Sequence, residues 1–147
     1  MTDAACLPLT NAMRSLQLAL DHLDAKAARR TGLARNDLRC VHLLVSEGQA
    51  SPKRIMGQLA LTSGSVTTLV DRLEALGWVK RSPDPADRRG VRVCATAKAK
   101  REITQIYAEF EAVLAKLAQR MGEPRTGAAA KQLDDLARVV SWAVVRD

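Results

Sequence analysis

The chain has 147 residues, enough for one domain around a single core, and 47% of them are hydrophobic. Its 23 lysines and arginines outnumber 16 aspartates and glutamates, a formal net charge of +7 that suits a polyanionic partner. No apolar run approaches the roughly 18 residues of a membrane span, and the first residues lack a basic segment followed by an apolar one, so a cytoplasmic protein is expected.

Cys6, Cys40 and Cys94 stand at unrelated spacings beside only two histidines, which suggests neither a disulfide framework nor a zinc site. The sequence holds no glycine-rich phosphate loop, no paired carboxylates and no nucleophile with its base. Neither an enzyme nor a cofactor is therefore expected.

From about Thr10 to Arg30, Met13, Leu16, Leu20, Leu23 and Ala27 recur at spacings of three and four, the mark of a helix with a heptad-like seam. Gly32 and Leu33 break it. A second helix over roughly 35–47 turns Leu38, Val41, Leu44 and Val45 inward and stops at Gly48. Ala34 stands where a capping side chain is wanted, which leaves Asn36 or Asp37 to cap. His22 and His42 lie on or beside apolar faces, where structural histidines are more common than ligands.

The stretch from Ser51 to Ala95 organises the rest. Gln49-Ala50 reads as a short strand, Ser51-Pro52 starts a third helix, and Ile55 and Leu59 face the core. Lys53 and Arg54 remain at its exposed start. Thr62 is the N-cap of a fourth helix, in which Val66, Leu69, Val70, Leu73 and Leu76 form one apolar stripe. The opposite face carries Ser63, Gly64, Ser65, Thr67, Thr68 and Asp71, so it can approach a partner closely. Gly77 ends the helix, and Trp78-Val79 opens a hairpin. Residues 82–85 and 87–90 are turn chemistry, and Val91–Cys94 is the return strand. Arg88 and Arg89 then sit at a tip held by Pro83, Pro85 and Gly90. Residues 51–95 carry eight basic side chains against four acidic, so the positive surplus is concentrated here.

Thr96 can cap a long helix to about Met121, with Ile103, Ile106, Phe110, Val113 and Leu117 on one seam and Tyr107, Leu114 and Met121 beside it. Residues 122–127 read as an interhelical loop. A last helix, about 128–145, presents Leu133, Leu136, Val140, Ala143 and Val144. The first helix and the last two carry more apolar surface than the small unit between them can cover. A second copy of the chain could cover it.

LTSGSVTTLVDRLEALGWVKR running into DPADRR resembles the recognition helix and wing of the MarR family of winged helix-turn-helix transcription regulators. The likeness extends over most of the chain. It implies a mainly α fold with a small β-hairpin wing: a DNA-binding lobe over 33–98, flanked by dimerisation helices over 1–32 and 99–147. It further implies a homodimer on double-stranded DNA, usually a repressor on a pseudo-palindromic operator.

By this resemblance Ser63, Gly64, Ser65, Thr67 and Thr68 enter the major groove, and Arg89 is the wing-tip residue for the minor groove, with Asp87 as its buttress and Arg88 beside it. Lys53, Arg54, Lys80, Arg81 and Arg92 flank the backbone. Arg72 is either a further contact or half of an ion pair with its neighbour Asp71. The family often has an arginine where Thr68 stands, so weight shifts to the wing and to DNA shape. A small lipophilic or phenolic effector would lie among Met13, Leu16, His42, Tyr107 and Phe110, residues that core packing explains as well. The alternatives are a sequence-tolerant nucleoid-type or protein-binding winged helix and, more remotely, an oxidant-sensing repressor: Cys6-Leu-Pro-Leu with Arg14 is similar to the sensing segment of the organic hydroperoxide resistance subgroup.

Overall fold

The computed structural model describes residues 6–145, apart from the side chains of Arg88, Arg89 and residues 142–145. The chain divides into two compact units, Met1–Ile106 and Tyr107–Asp147. Among the described residues no helix is long and apolar enough to cross a membrane.

The first unit contains α1 (Leu7–Thr31), α2 (Arg35–Glu47), β1 (Gln49–Ala50), α3 (Pro52–Leu59), α4 (Ser63–Ala75), β2 (Val79–Asp84), β3 (Asp87–Ala95) and the start of α5 (Ala97–Met121). α1 begins three residues earlier than its seam suggests, because Pro8 fits the first helical turn, where its missing N–H is not needed. It ends on Gly32, whose φ of 71° only glycine adopts without strain. Neither Asn36 nor Asp37 caps α2. Ala34 keeps the N-cap position with no side-chain bond, and Asp37 turns inward to a 2% exposed position.

The three strands form one antiparallel sheet in the order β1-β3-β2, pairing Ala50 with Val93 and Arg81 with Val93 across the two edges. Against it Leu38, Val41 and Leu44 of α2, Ile55 of α3, Val66, Val70 and Leu73 of α4 and Ile103 of α5 are all buried, with Trp78 closing one end. Val45 is only half-buried, and Leu43 is buried in its stead. Leu76 departs from the stripe of α4. It is 49% exposed, because the helix stops at Ala75 and the chain turns away before the next core position. Cys40 lies wholly inside, and burial, then the neighbouring Asp37 charge, pushes its thiol up to about 12. Both histidines are exposed.

The second unit is a helical hairpin made of α5 from Tyr107 onward and α6 (Glu123–Val145). The predicted six-residue loop shrinks to Gly122, with φ 78°. Pro124 lies in the first turn of α6, where a proline costs no hydrogen bond, and Thr126 donates to the Ala118 and Gly122 carbonyls across the bend. No described residue of this unit is buried, and Val113, Leu114, Leu117, Leu133, Val139 and Val140 are 45–63% exposed. Ala143 and Val144, placed on the same seam from the sequence, lie outside the described side chains.

Candidate nucleic-acid interface

α4 starts as its sequence dictates: Thr62 Oγ1 accepts from the Ser65 N–H at 3.2 Å and shares a hydrogen with Ser65 Oγ at 2.9 Å. Burial of Val66, Leu69, Val70 and Leu73 points the other face outward, leaving Ser63, Gly64, Ser65, Thr67 and Thr68 all exposed. The Thr67 and Thr68 hydroxyls donate to the Ser63 and Gly64 carbonyls, both at 3.1 Å. What they present outward is a methyl group and an acceptor oxygen, a pair that matches the thymine methyl and the exocyclic amines of adenine or cytosine.

Ser51 Oγ accepts from the Arg54 N–H and fixes the start of α3, leaving Lys53 and Arg54 exposed. Arg54 leans back on Glu47 of α2, Nη2 to Oε1 at 2.6 Å, and lowers that carboxyl while its own pKa is raised. An open hollow of about 480 Å³ lies between the first turn of α2 and α4, lined by Asn36, Leu61, Gly64, Ser65, Thr68, Leu69 and Arg72.

Arg72 pairs with Asp37 rather than Asp71: Nε donates to Oδ2 at 3.1 Å and Nη2 to Oδ1 at 2.5 Å. The hydrogen bonds, then the charge, of Asp37 raise its pKa. Asp71 serves Arg81 instead, at 2.5 Å, and Glu74 takes both the Arg81 backbone N–H and its guanidinium. The backbone bond and then the side-chain bond hold the Glu74 carboxyl below its ordinary value. Arg81 thus ties β2 to α4, while Lys80 stays exposed.

The hairpin turns at Pro85-Ala86, earlier than residues 87–90 suggest. Asp84 accepts from the Ala86 N–H at 3.0 Å and from Arg92 Nε at 2.7 Å; the Ala86 bond, followed by Arg92, lowers its pKa. Pairing runs Pro83↔Val91 and then jumps to Asp84↔Asp87, so Arg88, Arg89 and Gly90 form a bulge on β3 rather than a second turn. The bulge folds tightly over the turn. A Cβ on Gly90 would come 2.9 Å from Asp84 Cβ and 3.1 Å from Asp87 Cβ. Gly90→Ala is therefore expected to open the bulge while leaving the fold, and the test is unchanged thermal unfolding within a few degrees together with weakened duplex binding. The Arg88 and Arg89 side chains lie outside the description, and Asp87 is exposed.

Met13, Leu16 and His42 belong to the first unit, where all three are exposed; Tyr107 and Phe110 belong to the second and are half-buried. Cys6 is exposed at the start of α1, its carbonyl accepting from Thr10. Among the described residues no cluster of three or more His, Cys, Asp or Glu could hold a metal ion.

The sequence offered Asp37 only as a helix cap and Asp84 only as turn chemistry, and Glu74 was passed over, yet these carboxylates hold Arg72, Arg92 and Arg81. Two of them left a signal. Asp37 falls four residues before Val41 and seven before Leu44, on the inward face of α2, and Asp84 precedes the turn-forming Pro85-Ala86.

The MarR family model matches residues 33–91. An uncharacterised HTH-type transcriptional regulator, YcgE of Bacillus subtilis, is 37% identical over 81 residues, 55% of this chain and 53% of its own length. The chain thus spans about half the length of the curated relatives it matches. A MarR family protein from Bacillus stearothermophilus superposes with a TM-score of 0.73 at 19% identity, covering 96% of this chain and 99% of that one. NadR in complex with 4-hydroxyphenylacetate superposes with a TM-score of 0.68, also at 19% identity, covering 95% and 93%.

Proposed function

We propose that the chain, whose residues 33–91 match the MarR family model, is a winged-helix regulator of that family that binds double-stranded DNA as a homodimer and represses transcription from a pseudo-palindromic operator until a small effector releases it. The observation that carries the DNA reading is the exposed face of Ser63, Gly64, Ser65, Thr67 and Thr68, free of bulk, on a helix held by four buried residues beside a basic hairpin. The exposed leucines and valines on the seams of α1, α5 and α6 support a twofold assembly in which a second copy covers them. An aromatic or phenolic anion is the effector class favoured, by analogy with the hydroxyphenylacetate bound to NadR. Cys6 as an oxidant switch is the weaker reading.

Arg89→Ala tests the DNA assignment directly. Folding should be unaffected, with thermal unfolding as the check. Affinity for a selected duplex should fall by roughly 1–3 kcal/mol, and the slope of log K against log salt should shrink by about one. Unchanged affinity and slope would remove the wing from the interface. A protein-binding winged helix would show no dependence on Arg89, and a nucleoid-type protein would bind random and selected duplexes alike.

A further inference from the structure

Three exposed arginines of the first unit make ion pairs near the proposed interface, and one differs in kind. Arg54 leans on Glu47, itself 33% exposed, and Arg81 is shared between Asp71 and Glu74, 60% and 39% exposed. Arg72 grips Asp37, whose side chain is only 3% exposed, yet keeps 48% of its own side chain open. The pair is a fork against a fork, Nε and Nη2 each taking one carboxylate oxygen. A guanidinium has five N–H donors, so three remain after Asp37 is satisfied.

We propose that Asp37 is a positioning residue that holds the Arg72 guanidinium toward a backbone phosphate at the rim of the major groove. This rests on the DNA-binding reading above. Arg72 follows Thr68 by four residues and Ser65 by seven, so it continues the recognition face by one turn, roughly 6 Å further along the helix. The groove is roughly 12 Å wide, so when Ser65 and Thr68 stand over base edges, a long side chain one turn later reaches the sugar-phosphate edge. Asn36, Ser65 and Thr68 share the hollow that Arg72 lines, and no acidic residue lines it. An unanchored arginine would lose its rotamer freedom on binding. Here that freedom is already lost on folding, because α2 holds the guanidinium from the side through a buried carboxylate.

The test couples residue 72 to one phosphate. Duplexes retained by the wild-type chain from a random-sequence pool are resynthesised with single methylphosphonate linkages, and their affinities are measured for wild type, Arg72→Lys and Asp37→Asn, with thermal unfolding of each protein alongside. In the wild type one linkage per half-site should weaken binding about tenfold when neutralised. At that linkage alone, the penalty should fall below about threefold in both variants, because the lysine is a point charge without the fork and the asparagine lets the guanidinium swing. Equal weakening on every duplex, tracking a loss of melting temperature, would make the pair a structural staple and overturn the proposal. Should Asp37→Asn fail to fold, Arg72→Lys decides the matter, since it leaves a cation opposite the buried carboxylate. Tight binding with no linkage sensitive to residue 72 overturns this inference alone; a wild-type chain that retains no duplex overturns the DNA reading with it.

Discussion

Leu73→Ala should lower the unfolding free energy by about 2–5 kcal/mol, whereas Leu76→Ala, three residues on, should cost less than about 1 kcal/mol. Leu73 is 0% exposed and is the last buried residue on the inward face of α4, so truncating it removes apolar contact and leaves a cavity that the sheet and α2 cannot collapse to fill. Leu76 sits in the helix C-cap at 49% exposure and has little contact to lose. Urea midpoints at one fixed protein concentration measure the difference, because association adds to apparent stability. Two equal losses would mean that α4 continues through Leu76 and that the turn into β2 lies elsewhere. Against a typical total of 5–15 kcal/mol, the Leu73 loss should also loosen the recognition helix and with it any DNA affinity.

The largest effect on assembly is expected from a charge on the seams. Leu16→Glu, Phe110→Glu or Leu136→Glu should convert a dimer into a monomer at micromolar concentration, read by sedimentation. Leu16 is 45% exposed within the single chain and Leu136 half-buried, so a carboxylate at either is tolerated by the isolated fold. Its cost appears only when a second copy covers it. An unpaired charge taken out of water then costs at least about 3 kcal/mol, more than a hundredfold in dissociation constant. A wild-type chain that sediments as a monomer, or variants that dimerise as well as it does, would refute the twofold arrangement.

The parts of the fold legible in the sequence are those specified within a turn or two. Thr62 and Ser51 cap because their hydroxyls meet N–H groups three residues on, and Val66, Leu69, Val70 and Leu73 repeat over a helix long enough to make the stripe unmistakable. Punctuation residues misled. Pro124 and Gly127 read as loop, yet a proline in the first turn starts a helix, and α6 extends from Glu123. Gly90 was read as the end of a turn but permits a bulge, because the bulge is defined by pairing with β2 and not by its own residues. Within the candidate interface, the small exposed face could be seen directly. The fates of Arg72, Arg81 and Arg92 could not, since each is settled by a carboxylate on another element or across the hairpin, and Asp37 lies 35 residues from Arg72. The exposed seams were legible as surplus apolar surface.

Arg81 has one further effect. Through Asp71 and Glu74 it rivets the first wing strand to the last turns of α4, and the Asp84–Arg92 pair stiffens the hairpin beyond it. Helix and wing are thereby tied like the two jaws of a calliper, with a gape that these pairs favour before any duplex arrives. If one jaw takes the major groove and the other the adjacent minor groove, the distance between grooves becomes a quantity the protein measures. Duplexes that bend or narrow to match that spacing would then be favoured, at base pairs no side chain touches.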